Sequence, residues 1–460
     1  MTRVRSAGVN ASGLPDEAID VLLAQRGKTR ADVEHFVPPV DAATPLDRHR
    51  ASACTSYLTS GLASSAIVVC DADEPAMTIW RGQGASVTHV ATWSQAAFVS
   101  TYARITALFG FNPPGAEPRM EALARLKPGA RDTGVDDLLR LDSTVLTIDA
   151  VAEQRLAARL ALARDPAGAT RAMLASAVQE RLGDLLLELL REVRHLIHDR
   201  AVCLAGSLFH NSCTNARVRQ SGVFDTVFVP VDPGPAGLAV GRLLEALGHA
   251  PSAVSPFLGP AYSPQETKNV LYNCKLQYAW ETEGGAIRSA VEALREGRLV
   301  GWFDDAMEWG PRALGTRCIL ANPSTPYVLE NLNRFLKGRE SWRGYALSGL
   351  EESVAEHFAG PPQAPFMECD YRPVDPARFT HVLPSPEASV RIQTVSAQGG
   401  SARFRMLLEA FGNATGLPFL VNTSFNGFHE PIVCNPRDAV RVFFGTGLDV
   451  LVVNQFVMRK

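Results

Sequence analysis

Arg312 and Arg317 lie in the stretch Glu308-Trp309-Gly310-Pro311-Arg312-Ala313-Leu314-Gly315-Thr316-Arg317-Cys318-Ile319-Leu320, beside two glycines. Guanidinium groups make forked bonds to phosphate or carboxylate oxygens, and glycine lets backbone amides approach a ligand closely. Lys337-Gly338-Arg339-Glu340-Ser341-Trp342-Arg343 follows, with three more cations and one carboxylate. Five cations on two loops point to a polyanion such as a nucleoside triphosphate; a solvated charged surface is the plainer explanation. A third segment, Leu420-Val421-Asn422-Thr423-Ser424-Phe425-Asn426, reads as a strand running into small polar side chains. Such residues orient a phosphate or a base, or merely end strands and cap helices. The plain explanation suffices for any one residue and fails for the three segments together.

These segments need elements to hold them. Helical spacing covers Asp16 to Gln25, Ala150 to Arg164, Thr170 to Leu196 and Ala286 to Glu296. Apolar runs at Ser65 to Cys70, Val202 to Ala205 and Val227 to Pro230 read as strands, and Gly234 to Leu247 as a loop and helix. Later strands are expected at Leu299 to Phe303, Val390 to Val395, Pro418 to Asn422 and Val450 to Val453. The segment from Glu308 to Leu320 reads as a loop. Strands alternating with helices indicate an α/β fold, and the Pro-, Ser- and Gly-rich run 250–263 suggests two domains, 1–255 and 256–460.

The 460 residues exceed one ordinary core, and a composition of 46% hydrophobic and 20% charged residues is that of a globular chain. A formal charge of -3 argues against a nucleic-acid binder. No run is long and apolar enough for a membrane span or signal peptide, so a cytoplasmic protein without membrane partners is expected. Eight cysteines without close pairs suggest reduced thiols.

Together the segments resemble the carbamoyltransferase family of antibiotic and nodulation-factor biosynthesis. The resemblance rests on Glu308 to Leu320, Lys337 to Arg343, Arg391 to Val395, Asn422 to Asn426 and Glu430 to Val433. In the first half it rests on Leu204-Ala205-Gly206 with Asn211 and Asn215, and on Gly234 to Gly241. It implies an actin-like ATPase-type domain followed by a YrdC-like α/β domain. It also implies that ATP, with Mg2+, and carbamoyl phosphate give a carbamoyl adenylate in the second domain. Arg312, Arg317, Lys337, Arg339, Arg343, Asn422 and Ser424 would then hold the nucleotide and donor, and Arg312, Lys337 and Arg343 would serve catalysis. His429, beside the polar loop, is a catalytic candidate on its own chemistry, since an imidazole suits proton transfer near neutrality.

The first half departs from the family pattern. The β-hairpin and phosphate loop that the family carries ahead of the helix at Asp16 are not expected here. The family's metal ligands, two histidines four apart and an Asp in a glycine loop, correspond to Arg48, Ser52 and Pro235. Arginine repels a divalent ion and proline offers no donor, so no iron- or zinc-type metal is expected there. Ser207 replaces a second glycine after Gly206, Asp305-Ala306 a Gly-Arg, Leu347 a proline and His429 a glycine. His49, His210 and Asn211 are candidates for the acceptor side. His195 and His198 read as solvated residues near a helix end, and Cys318 as a packing residue.

The resulting expectation is an ATP-dependent carbamoyltransferase-like enzyme of secondary metabolism. It would activate a carbamoyl or related acyl group from carbamoyl phosphate or another carboxylate donor. The acceptor would be the amine or hydroxyl of a small molecule, without the usual metal, and the protein would be a homodimer. Two alternatives stand beside it: an acyl-adenylate-forming ligase or cyclase, and a non-catalytic nucleotide-binding partner protein.

Overall fold

The computed structural model describes residues 16–25, 27–33, 44–112 and 115–460. Its first sheet has the order β3-β2-β1-β6-β7, from β1 (Ser64–Cys70), β2 (Met77–Gln83), β3 (Ser86–Thr92), β6 (Ala201–Ala205) and β7 (Thr226–Phe228). β4 (Leu139–Asp142) and β5 (Val145–Ile148) form a separate hairpin. The β1–β6 and β6–β7 pairs are parallel, and β1–β2 and β2–β3 antiparallel. β1 is central and covered on both faces, which is why it reads as an unbroken apolar run. Ala66, Val68 and Cys70 meet the core beneath the long helix Ala169–Ile197. Ile67 and Val69 meet Ala53, Cys54 and Tyr57 of the helix Pro45–Leu58. Thr44 and Asp47 cap that helix reciprocally, with Pro45 in its first turn. It packs so closely on the helix Leu238–Ala246 that a β-carbon at Gly241 would lie 2.0 Å from the Ala51 carbonyl oxygen.

The second sheet contains β8 (Ala279–Trp280), β9 (Val300–Phe303), β10 (Arg317–Ala321), β11 (Ala346–Leu350), β12 (Phe358–Ala359) and β13 (Asp370–Pro373). It continues with β14 (Val390–Val395), β15 (Phe419–Ser424), β16 (Val450–Val453) and β17 (Phe456–Arg459). Their order is β12-β13-β14-β11-β15-β10-β9-β16-β17-β8. Period-two alternation divides each central strand between two cores. Ile319 and Val421 face one core, and Cys318, Leu320 and Leu420 the other. The molecule is thus an α/β fold with two main sheets.

Two sequence expectations need correction. The expected loop from Glu308 to Leu320 ends at Thr316, because Arg317 opens β10, where apolar residues pair with both β9 and β15. The β2–β3 hairpin was not foreseen. Its signal was Gly84, at φ 55° in a two-residue turn between Gln83 and Ser86.

The two halves are tied by a buried polar network. Arg125, beyond the helix Glu117–Ala124, donates from Nε to Asp370 Oδ2 at 2.6 Å and from Nη2 to Ser212 Oγ at 2.7 Å, and also pairs with Glu121. Ser389 Oγ donates to Asp370 Oδ2 at 3.0 Å, and Asn215 Nδ2 to the Glu368 carbonyl at 2.9 Å. Burial works against charge on Arg125, but Asp370 and Glu121 outweigh it and raise its pKa; Asp370 is held down to about 2. This network fixes the separation between the halves, and the cleft described next lies along it.

Candidate functional site: an arginine cleft between the halves

The glycine loop before β10 is shaped by a carboxylate. Glu308 is buried, and its Oε1 accepts the backbone N–H groups of Leu314 at 2.7 Å, Thr316 at 2.8 Å and Arg317 at 3.2 Å. Gly315 sits at φ 125°, where a β-carbon would strike Phe404 at 2.5 Å. Arg317 does not face a ligand. It is fully buried, donates to the carbonyls of Asp304, Asp305 and Pro260, and lies 3.7 Å from the Phe303 ring centroid. Its expected nucleotide contact is therefore corrected: leading a central strand, Arg317 points inward and satisfies loop carbonyls. Arg312, on the loop crest, faces the cleft and donates from Nη2 to the His210 carbonyl at 3.2 Å.

Lys337, near the end of the helical turns Asn331–Lys337, is also buried. Its Nζ donates to the Ser424 carbonyl at 2.6 Å, the Asn426 carbonyl at 3.0 Å and Asn426 Oδ1 at 2.6 Å. All three ammonium protons are engaged, so Lys337 shapes the polar loop after β15. Burial first, and then Arg339, push its pKa down to about 7. Ser424 Oγ completes this corner with a 2.8 Å bond to Asn426 Oδ1.

Five of the expected residues, Arg312, Arg339, Arg343, Asn422 and Ser424, line one cavity of about 160 Å³. Arg391, Arg125 and Glu121 line it too. Asn422 is held by Nδ2 bonds to the Ala313 carbonyl at 3.1 Å and Ser348 Oγ at 2.9 Å, while its Oδ1 has no partner. Arg391, on β14, makes no side-chain hydrogen bond or ion pair among the described residues. Burial, then Arg312 and Arg125, push its pKa down to about 9. Burial and then Arg339 lower Arg343 to about 10, and burial also lowers Arg312. These guanidiniums repel one another in a desolvated space whose lining carboxylate, Glu121, is committed to Arg125. Such a cleft favours an anion with several oxygens.

Arg391 and Asn426 complete the constellation; both stand in segments that carry the resemblance, yet neither is among the expected site residues. The signal for Arg391 was a lone charge in an apolar strand; for Arg125 there was none. His429, expected to be catalytic, is exposed at φ 51° against Phe428, and it does not line the cavity. A left-handed turn carries its ring outward, which corrects that expectation. Cys318 is buried with its thiol raised by burial, as packing requires.

In the first half, the three positions that the resemblance equates with metal ligands make no donor set. Arg48 pairs with Asp73 at 2.9 Å, Ser52 is buried in its helix, and Pro235 begins a short turn. They do not fit a divalent ion. One group of close ligand atoms occurs among the described residues, Glu121, Cys213 and Asp370, and the Arg125 guanidinium already bonds both its carboxylates. Of the acceptor-side candidates, Asn211 is consumed as a helix cap and in a 2.9 Å bond to Gln179. His49 is buried, with Nδ1 2.8 Å from Thr78 Oγ1 and Nε2 unpartnered. His210 stands 3.5 Å from Asp232, beside the Arg312 contact.

The chain also matches known families and proteins. Residues 19–244 match the family described as Carbamoyltransferase N-terminus, and residues 291–460 match Carbamoyltransferase C-terminus. Nodulation protein NolO of Bradyrhizobium diazoefficiens is 35% identical over 62% of this chain and 54% of its own length. Nodulation protein NolNO of Sinorhizobium fredii is 33% identical over 62% of this chain and 44% of its own. The protein sll1178 of Synechocystis is 29% identical over 90% of this chain and 76% of its own. The chain thus spans about half the length of the nodulation proteins it matches. Among solved structures, full-length HypF in its phosphate- and nucleotide-bound form gives a TM-score of 0.32 at 11% identity, covering 43% of this chain and 35% of HypF.

Proposed function

Because the chain belongs to the carbamoyltransferase family, we propose that it is an ATP-dependent transferase whose arginine cleft forms a carbamoyl adenylate. The observation that carries this reading is the convergence of Arg312, Arg339, Arg343 and Arg391 on one small cavity whose lining carboxylate, Glu121, is already paired with Arg125. ATP would enter as its Mg2+ complex, the ion supplying charge neutralisation of the phosphates. Carbamoyl phosphate releases inorganic phosphate to water, the carbamate oxygen attacks the α-phosphorus, and pyrophosphate leaves with the bonding electrons. The arginines stabilise the charge that develops on the phosphates. Asn422 Oδ1, unpartnered at the cavity wall, accepts an N–H from the base or the carbamoyl group. A small-molecule amine or hydroxyl then takes the carbamoyl group and releases AMP. No step uses a metal held by the first half, since Arg48, Ser52 and Pro235 supply no ligands.

The test is ATP–pyrophosphate exchange on the purified protein, with and without carbamoyl phosphate, beside Arg312→Ala. Exchange that needs carbamoyl phosphate and disappears in the variant supports the reading. Exchange driven only by some other carboxylic acid replaces it with the ligase reading. ATP binding with no exchange under either donor leaves a nucleotide-binding partner protein.

A further inference from the structure

The loops that follow the parallel strands β6 and β7 bring together a pair that the activation chemistry does not use. Carboxyl ends of parallel strands are where α/β sheets commonly place ligands. His210 closes the loop after β6, and Asp232 lies in the loop after β7. His210 Nε2 stands 3.5 Å from Asp232 Oδ1, and Asp232 is buried and fixed by the Gly234 N–H at 2.6 Å. Two features keep the pair in place. The Gly206 N–H donates to the Pro233 carbonyl at 2.7 Å, joining the two loops. A β-carbon at Gly234 would lie 2.4 Å from His210 Nε2, so glycine there makes room for the imidazole.

The second half reaches this pair directly. A β-carbon at Gly310 would lie 3.1 Å from the Val231 carbonyl oxygen and 3.2 Å from Asp232 Cβ, so the glycine loop rests on the Asp232 segment. Arg312, which lines the cleft, donates to the His210 carbonyl at 3.2 Å. The charged groups acting on the imidazole are Asp232, Arg312, Asp71 and Glu121. Two belong to the first-sheet crevice, and two line the arginine cavity.

We propose that His210, oriented by Asp232, is the general base that deprotonates the acceptor as it attacks the activated carbonyl. This inference rests on the adenylate reading above. A carboxylate facing Nε2 places the proton on that nitrogen and leaves the lone pair on Nδ1, which has no protein partner among the described residues. Burial lowers the His210 pKa and Asp232 opposes the shift; the net lowering keeps the ring neutral near pH 7. In the step, the acceptor O–H or N–H proton passes to Nδ1, the new O–C or N–C bond forms, and the carbonyl–phosphate bond breaks. AMP departs with the electron pair. The 3.5 Å separation is longer than a formed hydrogen bond, and it shortens as the imidazolium develops. A base in this position lets an ordinary hydroxyl react without a Lewis acid.

The experiment uses two probes of different nucleophilicity on the intact protein. Water is weak and needs a base; hydroxylamine is strong and does not. With carbamoyl phosphate and ATP, AMP release to water is compared with hydroxyurea formation for wild type, His210→Gln, Asp232→Asn and Gly234→Ala. Exchange of ATP with pyrophosphate is measured alongside. His210→Gln should lower AMP release to water about 100-fold, leaving exchange and hydroxylamine trapping within about twofold. Asp232→Asn removes the charge that raises the imidazole pKa. The acid limb of its pH–rate profile therefore moves to lower pH, a shift that a merely structural role would not give. Gly234→Ala should reproduce part of the His210→Gln loss. Equal rates to water for wild type and His210→Gln overturn the inference, as does loss of exchange in His210→Gln, which would place His210 in activation. Absence of exchange in wild type removes the adenylate reading itself, and this inference falls with it.

Discussion

The arginine cleft and the network around Arg125 share a wall, yet they treat charge in opposite ways. Arg125 is as buried as Arg391, but Asp370, Glu121 and Ser212 surround it. Arg391 faces only other arginines and distant carboxylates. A buried cation with its counter-charges supplied by the chain holds the structure together. One left without them is held there at a cost in stability, which an anionic ligand would relieve. The difference separates the two kinds of arginine more sharply than any sequence spacing.

Replacing one residue on each side is the strongest way to break the comparison. Arg125→Ala strands Asp370 and Glu121, and about 3–5 kcal/mol of stability should be lost, read by chemical denaturation. Arg391→Ala should show no fall in denaturation midpoint while ATP–pyrophosphate exchange drops about 10- to 100-fold. If Arg391→Ala unfolds as easily as Arg125→Ala, the distinction between paired and unpaired arginines is wrong.

Lys337 sharpens the comparison because its partners are neutral carbonyls. Its folded pKa of about 7 lies well below the ordinary lysine value of 10.5. Between those values the unfolded chain holds a proton that the folded chain lacks, so this group makes stability rise with pH across the window. Lys337→Met should flatten that rise, seen by denaturation at several pH values. On the adenylate reading, ATP bound in the adjoining cleft would pull the pKa back up. Titration calorimetry in buffers of different ionisation enthalpy should therefore show proton uptake near pH 8 in wild type but not in Lys337→Met.

The smallest effect is expected in the first half. The Arg48–Asp73 pair is substantially exposed, so Arg48→Ala should change stability by no more than about 0.5 kcal/mol. Carbamoyl phosphate-dependent exchange should be unaltered by that variant. A large loss of exchange would show that this region takes part in activation.

Much of the fold could be read from the chain. The apolar run of β1 and the helical spacing over Ala169–Ile197 each follow from one local pattern. The hairpin β2–β3 escaped because Gly84 alone marked its turn. At the site, Arg312, Arg339 and Arg343 were legible as cations on glycine-bearing loops. Arg317 and Lys337 carry the same charge on the same loops, but their side chains turn into carbonyls, a matter of orientation that spacing does not encode.

The sequence by itself determined the α/β alternation and the clustering of cations in the second half. Each depends on residue type or on periodicity along a single segment. Only the tertiary structure decided which cations are spent internally, that Arg125 and Arg391 join a cavity with Arg312, and that His210 meets Asp232. Those outcomes depend on which carboxylates and carbonyls arrive within a few ångströms. That is fixed by the packing of segments as far apart as Arg125 and Asp370, and no local pattern records it.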